Sequence, residues 1–291
     1  MKIIKFVGGL GNQMFQYAFY KSCEAVDSET YADLTQYETY KFHQGFELEK
    51  LFNVELRRAS FKQIRKFGYT SSKLGKLAQR FMPDKDGYIR EKCIGYDASI
   101  FEKWNSGIYY DGFWQSYRYF IQIQDTLQND FKCKKTLSSK SQAMIEQIND
   151  RMVAVHIRRA DFLEKRNSHL MNLSESNYYE LAISKIKEII DDPQFVFFSD
   201  DLNWVREHFS IDNSIYVDWN TGVDAYQDMI IMSYFKNIIT ANSTFSWWGA
   251  WMNPLSKKKL IICPQKWYNV NSVDGRLINT ENLILPGWLS L

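Results

Sequence analysis

Four short stretches of this 291-residue chain place charged, amide or hydroxyl side chains beside apolar runs. In His156-Ile157-Arg158-Arg159-Ala160-Asp161, two adjacent arginines leave an apolar run and must meet counter-charges or water. Strand side chains alternate in direction, so Arg158 and Arg159 point apart if the strand continues. A guanidinium fork suits a diphosphate. An ion-pair network at a strand end, with Asp161 as a partner, explains the same residues equally well. Phe197-Phe198-Ser199-Asp200-Asp201 sets two acids after the next apolar run. They suit ribose hydroxyls, an arginine or a metal ion, and Asp201 also suits a helix N-cap. Asn242-Ser243-Thr244-Phe245-Ser246-Trp247-Trp248-Gly249 follows a third run and opens a helix. Its hydroxyls and free N–H groups make an anion site. A plain capping turn does not need so many small hydroxyls together. Gly249 permits close packing or ligand approach. Gly8-Gly9-Leu10-Gly11-Asn12-Gln13 is a tight turn without the G-x-G-x-x-G spacing or the P-loop lysine. Asn12 and Gln13 are candidates for sugar hydrogen bonds, and Asn12 equally for an N-cap.

The elements that must carry these residues follow from periodicity. Ile3–Val7, the glycine turn and the apolar-periodic run Gln13–Val26 read as strand, turn and helix. Between 57 and 110, Lys62–Lys66 and Lys73–Arg80 look helical, and Met82-Pro83-Asp84 breaks the pattern. The second half alternates more clearly. Val153–Arg158 is a strand. Asn177–Ile190 carries Tyr179, Ile183, Ile186 and Ile190 at helical spacing and stops at Asp191-Asp192-Pro193. Gln194–Ser199 is a strand, Leu202–Phe209 and Asp224–Phe235 are helices, and Asn237–Ala241 is a buried strand. Ser246 is placed to cap a helix through Met252, ahead of Pro254, and Lys259–Cys263 is the last strand. Such alternation predicts a parallel, doubly wound sheet, in which ligands bind at the carboxyl ends of strands. The polar stretch Thr136–Gln142 reads as a linker. It divides the chain into α/β domains at 1–140 and 141–291, facing one another across a cleft.

Composition narrows the function. A net charge of +2 gives no field for nucleic acid. The run Lys257–Lys259 offers mild attraction to anionic membrane surfaces, hence peripheral association, or is simply a solvated loop. Aromatics at 16% exceed core needs; sugar sites use aromatic faces as platforms, but core filling accounts for most of them. Cys23, Cys93, Cys133 and Cys263 form no C-x-x-C pair or metal-ligand spacing, as in a reduced, cytoplasmic protein. The opening residues lack a signal peptide's pattern, and no apolar stretch is long enough to span a membrane.

The segments at 8–17, 111–116, 156–161, 197–201 and 226–251, in this order, resemble glycosyltransferase family 11, the bacterial and animal α-1,2-fucosyltransferases. The resemblance spans nearly the whole chain. It implies a GT-B-type architecture of two Rossmann-like domains and inverting transfer from GDP-β-L-fucose to the 2-hydroxyl of a galactose in a glycan acceptor. No cofactor and no metal are expected. It also implies that Arg158 contacts the donor diphosphate and that Ser243, Thr244 and Ser246 line the phosphates. Asp228 contributes to nucleotide binding, with His156 and Asp200 as further donor-side contacts. Asp161 and Glu164 are the candidates for a general base. Asn12, Gln13, His43 and Gln115 are the candidates on the acceptor side. Ala160 stands where the family usually has glycine, and a backbone position needing positive φ would reshape the loop there. Two other classes fit parts of the pattern. A metal-dependent GT-A-type glycosyltransferase would use Asp200–Asp201, and a catalytically silent sugar-nucleotide binding module would use the donor residues alone.

Overall fold

The computed structural model describes residues 1–39, 44–67, 87–102, 107–253, 259–273 and 275–291. The stretches Lys73–Arg80 and Met82-Pro83-Asp84 lie outside the described residues, as do His43, Pro254 and Lys257. The chain forms two compact units, Met1–Lys132 with Asp274–Leu283 and Cys133–Val273 with Ile284–Leu291. The single division expected after residue 140 therefore differs in two ways. The chain leaves the first unit at Lys132, and a C-terminal segment returns to it.

The first unit holds strands β1 (Lys2–Lys5), β2 (Thr30–Asp33), β3 (Tyr88–Arg90) and β5 (Ile108–Asp111). They form a parallel sheet in the order β2-β1-β5-β3. The short β4 (Cys93–Ile94) pairs with β11 (Arg276–Ile278) of the returning segment. Helix α1 (Leu10–Val26) joins β1 to β2 and starts three residues before the apolar periodicity does. The Gly9 carbonyl accepts the amides of Asn12 and Gln13 at 3.0 Å, so Asn12 lies inside the first turn and is not its cap. Phe19 of α1 stacks on Trp114 at 4.4 Å, and Tyr110 and Tyr119 meet Trp114 edge-on. Much of the high aromatic content is spent on this core.

The second unit holds β6 (Met152–Ile157), β7 (Gln194–Ser199), β8 (Ile215–Tyr216), β9 (Asn237–Ile239), β10 (Leu260–Cys263) and β12 (Leu289–Ser290). All six are parallel, in the order β12-β10-β9-β6-β7-β8. Alternate residues of each strand enter opposite cores. Val153, Val155, Phe195 and Phe197 pack with Tyr179, Ile183 and Ile186 of helix α3 (Tyr178–Ile189). Ala154, Val196 and Phe198 pack with Met144 of α2 (Ser139–Gln147) and Ile231 of α5 (Tyr226–Met232). Both faces are covered, which is why these strands read as continuous apolar runs.

Two helix starts differ from the sequence reading. Ser138 caps α2, and Ser141 is buried against Asn220, so Thr136–Gln142 is half helix and not a linker. Helix α6 (Thr244–Trp251) is capped by Ser243, whose hydroxyl accepts the Phe245 amide. Ser246 lies inside the first turn, where its hydroxyl accepts the Ala241 amide at 3.2 Å. A Cβ on Gly249 would stand 3.1 Å from that of Met232, so this glycine serves the close packing of α6 on α5. Lys259 donates to the carbonyls of Ala250 and Asn253 at the end of α6. Burial pushes it down to about 8, so this lysine is not a free surface charge. All four cysteines are free. Among the described residues no helix is long and apolar enough to cross a membrane.

Candidate functional site

From β6 the chain winds outward to β7 and β8, then returns to place β9 on the other side of β6. The carboxyl ends of β6 and β9 thus form the topological switch point, where open α/β sheets bind ligands. The loop after β6 is held there by Asp200 at the end of β7. One oxygen of Asp200 accepts the amides of Arg159 and Ala160 at 2.9 and 3.2 Å. Its other oxygen faces Arg158 Nη1 at 3.3 Å. Arg158 Nη2 donates to Asp161 at 2.6 Å. Burial works against the charge on Arg158, but Asp200 and then Asp161 outweigh it and hold its pKa above the ordinary value. Ala160 has φ −55°, ordinary right-handed backbone, so alanine fits here without strain.

Arg159 turns the other way. Its Nη1 donates to Asp201 at 2.5 Å, and its guanidinium lies 4.9 Å over the Trp204 ring. Asp201 also caps helix α4 (Leu202–His208) by accepting the Trp204 amide. Of the alternatives for this pair, the structure shows arginine partners: Asp200 and Asp201 are both engaged with cations and backbone amides. No described group of three or more His, Cys, Asp or Glu is arranged to hold a metal. Arg159→Ala is expected to act on stability. Losing a partly buried ion pair and its cation–π contact should cost roughly 1–3 kcal/mol. Urea denaturation of the variant measures it. An unchanged midpoint would show that the pair does not anchor this loop.

Buried polar atoms without hydrogen-bond partners gather at the same strand ends: His156 Nδ1, Arg159 Nε, Asp161 Oδ1 and Asn242 Oδ1. Buried polar atoms are ordinarily satisfied, so each such exception calls for an explanation. His156 rests tilted against the Phe245 ring, 5.8 Å between centroids. Burial, and then the charge of Arg158, push its pKa far down, so the ring is neutral. Asn242 donates to the carbonyls of Met171 and Trp267, which fixes the turn into α6. Ser243 and Thr244 are half-exposed, whereas Ser246 is buried and bound to backbone, so Ser246 is not placed to line a phosphate. Glu164 is exposed.

Asp228 sits in the first turn of α5, which runs antiparallel to the strands and so begins on their carboxyl side. It accepts Asn220 Nδ2 at 2.8 Å. Burial pushes its carboxyl up to about 7 against that hydrogen bond. Asn220 accepts in turn from the Ser141 hydroxyl, so this carboxylate stands on a fixed polar chain that sequence order does not reveal.

In the first unit, Asn12 is half-buried and accepts Gln115 Nε2 at 2.8 Å. Gln13 is fully buried. It donates to the carbonyls of Gly8 and Gly45 and accepts the Glu47 amide, so it ties two loops together and is closed to a sugar. His43 lies outside the described residues.

With this geometry in hand, the comparisons are consistent with one another. Residues 85–291 match Glycosyl transferase family 11. An α-1,2-colitosyltransferase of Escherichia coli is 31% identical, covering 94% of this chain and 95% of its own. The O-antigen biosynthesis glycosyltransferase WbnK of Escherichia coli is 27% identical over 98% of both. Among solved structures, fucosyltransferase NodZ from Bradyrhizobium aligns with a TM-score of 0.52 at 12% identity, covering 86% of this chain and 92% of that one. NodZ α-1,6-fucosyltransferase soaked with GDP-fucose aligns with a TM-score of 0.53 at 13% identity, over 87% and 92%.

Proposed function

The chain belongs to glycosyltransferase family 11, and on that premise we propose that it transfers L-fucose from GDP-β-L-fucose to the 2-hydroxyl of a terminal β-galactose, inverting C1. Its fold is the GT-B-like α/β fold of the fucosyltransferase structures it resembles. The observation that carries the donor half of this reading is the meeting of Arg158, the start of α6 and the unpartnered polar atoms at one switch point. Arg158 donates one N–H to Asp161, meets Asp200 as an ion pair, and keeps other N–H groups for a diphosphate.

In this mechanism the acceptor oxygen attacks C1 of fucose while the bond from C1 to the diphosphate oxygen breaks. The bonding pair leaves with GDP, and the ring passes through an oxocarbenium-like transition state. Arg158 and the first amides of α6, with Ser243 and Thr244, stabilise the charge growing on the leaving group. The acceptor proton goes to a carboxylate. Asp161 has one oxygen bound to Arg158 and the other without a partner; Glu164 is the exposed alternative. No metal takes part in these steps, and turnover should survive EDTA. We assign acceptor recognition to the first unit through Asn12 and Gln115.

The nucleotide is tested directly. GDP should raise the melting temperature far more than UDP or ADP, since a ligand bound only by the native state stabilises by mass action. Equal stabilisation by UDP would count against the proposal. Turnover of GDP-fucose with lactose and related galactosides tests the rest, and nucleotide binding without product across that panel would favour a silent binding module. One observation favours a second donor. The E. coli relative is named for colitose transfer, and colitose is fucose without its 3-hydroxyl. Running GDP-colitose beside GDP-fucose decides between them. Preference for the hydroxylated sugar requires a site group that bonds the 3-hydroxyl and is left unpaired by colitose.

A further inference from the structure

The Asp111–Ser116 turn, which carries Gln115, is held by a residue outside every motif described above. Glu91 follows β3 directly, and its amide donates to the Asp111 carbonyl at 2.9 Å. Its carboxylate is buried and splits its work. One oxygen accepts the Phe113 amide and the other the Trp114 amide, each at 2.9 Å. Arg276, in the segment that returns to the first unit, reaches the same carboxylate at 3.3 Å and lies 5.2 Å over the Phe113 ring. Two backbone donors and a guanidinium hold the buried carboxyl in place, while burial outweighs them and keeps its pKa above the ordinary value.

The turn so gripped is not one the chain would adopt by itself. Trp114 has φ 57°, left-handed backbone that a bulky residue rarely takes. A Cβ at Gly112 would come within 2.6 Å of the Glu91 Cβ and 2.9 Å of the Trp114 ring, so only glycine fits. The indole of Trp114 stacks on Phe19, and Gln16 donates to the Gly112 carbonyl at 3.2 Å. Held at these points, the turn delivers Gln115, which is buried, against Asn12, which is not. Gln115 Nε2 donates to Asn12 Oδ1, which settles the Asn12 amide with its oxygen toward Gln115 and its NH2 group turned away.

We infer that Glu91 is a positioning residue: by holding the Gly112–Gln115 turn it fixes, through Gln115, the orientation in which Asn12 presents its amide to the acceptor sugar. The inference rests on the assignment of acceptor recognition to the first unit. Glu91 does not touch substrate. Strained backbone of this sort persists only where the surroundings over-determine it, and it gathers at working sites.

Steady-state kinetics with donor and acceptor varied separately provide the test. Asn12→Ala first identifies the constant that the Asn12 amide controls, expected to be the acceptor KM. Glu91→Gln sets an NH2 group against a backbone amide or Arg276, and should raise that KM roughly tenfold, the size of one lost hydrogen bond. The donor KM should stay within about twofold. Glu91→Gln added to Asn12→Ala should change nothing further. Where Glu91→Gln is recovered unfolded, Glu91→Asp and the near-isosteric Gln115→Met carry the same comparison. Glu91→Asp should lie between wild type and Asn12→Ala, and Gln115→Met should match Asn12→Ala. A fully additive double variant, or Glu91 and Gln115 substitutions that leave the Asn12-controlled constant untouched, would overturn the inference. If Asn12→Ala alters the donor KM instead, the acceptor assignment fails. The positioning role then stands or falls on whether Glu91→Gln moves that same constant without adding to it.

Discussion

Arg158→Ala should lower kcat by on the order of 10²-fold or more, the scale for losing a preorganised electrostatic donor at a developing negative charge. Arg158→Lys keeps the charge but gives up the fork, so it should lose much of the activity as well. The competing account makes Arg158 a structural cation, and the structure shows why that account has force. Asp161 and Asp200 both bond it. Removing a partner from a fully buried pair costs about 3–5 kcal/mol. Here the side chains of Arg158, Asp161 and Asp200 are 29%, 27% and 20% exposed. Asp200 also keeps the Arg159 and Ala160 amides when the guanidinium is gone. The loss should therefore be smaller, roughly 1–3 kcal/mol, and the fold should survive. Melting temperature and turnover measured on the same purified variant separate the two accounts. A folded Arg158→Ala enzyme with near-wild-type turnover would sink the mechanism, and Arg159→Ala provides the comparison in which stability falls more than turnover.

What the sequence shows of this site depends on how locally each feature is built. The ends of β6 and β7 are legible because a continuous apolar run stops at charged residues, and Asp201 as an N-cap is legible because capping acts over three residues. The choice between Ser243 and Ser246 as the cap is not, since both hydroxyls precede apolar helix and only the Ala241 amide decides what Ser246 does. Thr136–Gln142 looks like a linker because its composition is polar. The contact that makes half of it helix, Ser141 with Asn220, joins residues 79 positions apart. Gln13 is misread for the same reason: nothing beside it announces that its amide will close on Gly45 and Glu47. Glu91 leaves no signal at all, because its partners lie at 113, 114 and 276. Short-range patterning thus discloses the polar motifs at the strand ends, while the supports that aim the side chains arise from tertiary pairing.

Asp228 offers a pH effect whose sign follows from its environment. Burial lifts its carboxyl to about 7, from an ordinary value of 3.8. Between those two values the folded protein keeps a proton that the unfolded chain releases, so stability falls as pH rises through that window and levels off above about 7. Each pH unit crossed there costs about 1.4 kcal/mol at most. Asp228→Asn places a neutral, near-isosteric side chain on the same Asn220 contact. The ligand-free variant should melt higher than wild type at pH near 8 and no higher at pH near 4. Binding should go the other way. We propose that Asp228 takes the guanine edge, whose adjacent N–H donors need two acceptor oxygens, and only the ionised carboxylate offers both without an O–H donor in the way. With a carboxyl at about 7, about a tenth of ligand-free protein is ready at pH 6 and about nine tenths at pH 8. The GDP affinity of wild type should therefore rise about tenfold across that interval. In Asp228→Asn the GDP preference over UDP should vanish, and the pH dependence should shrink to what the phosphates themselves contribute. Calorimetric titration of both proteins with GDP and UDP at the two pH values measures all of this. A wild-type GDP affinity that varies with pH no more than the variant's would remove Asp228 from the nucleotide site.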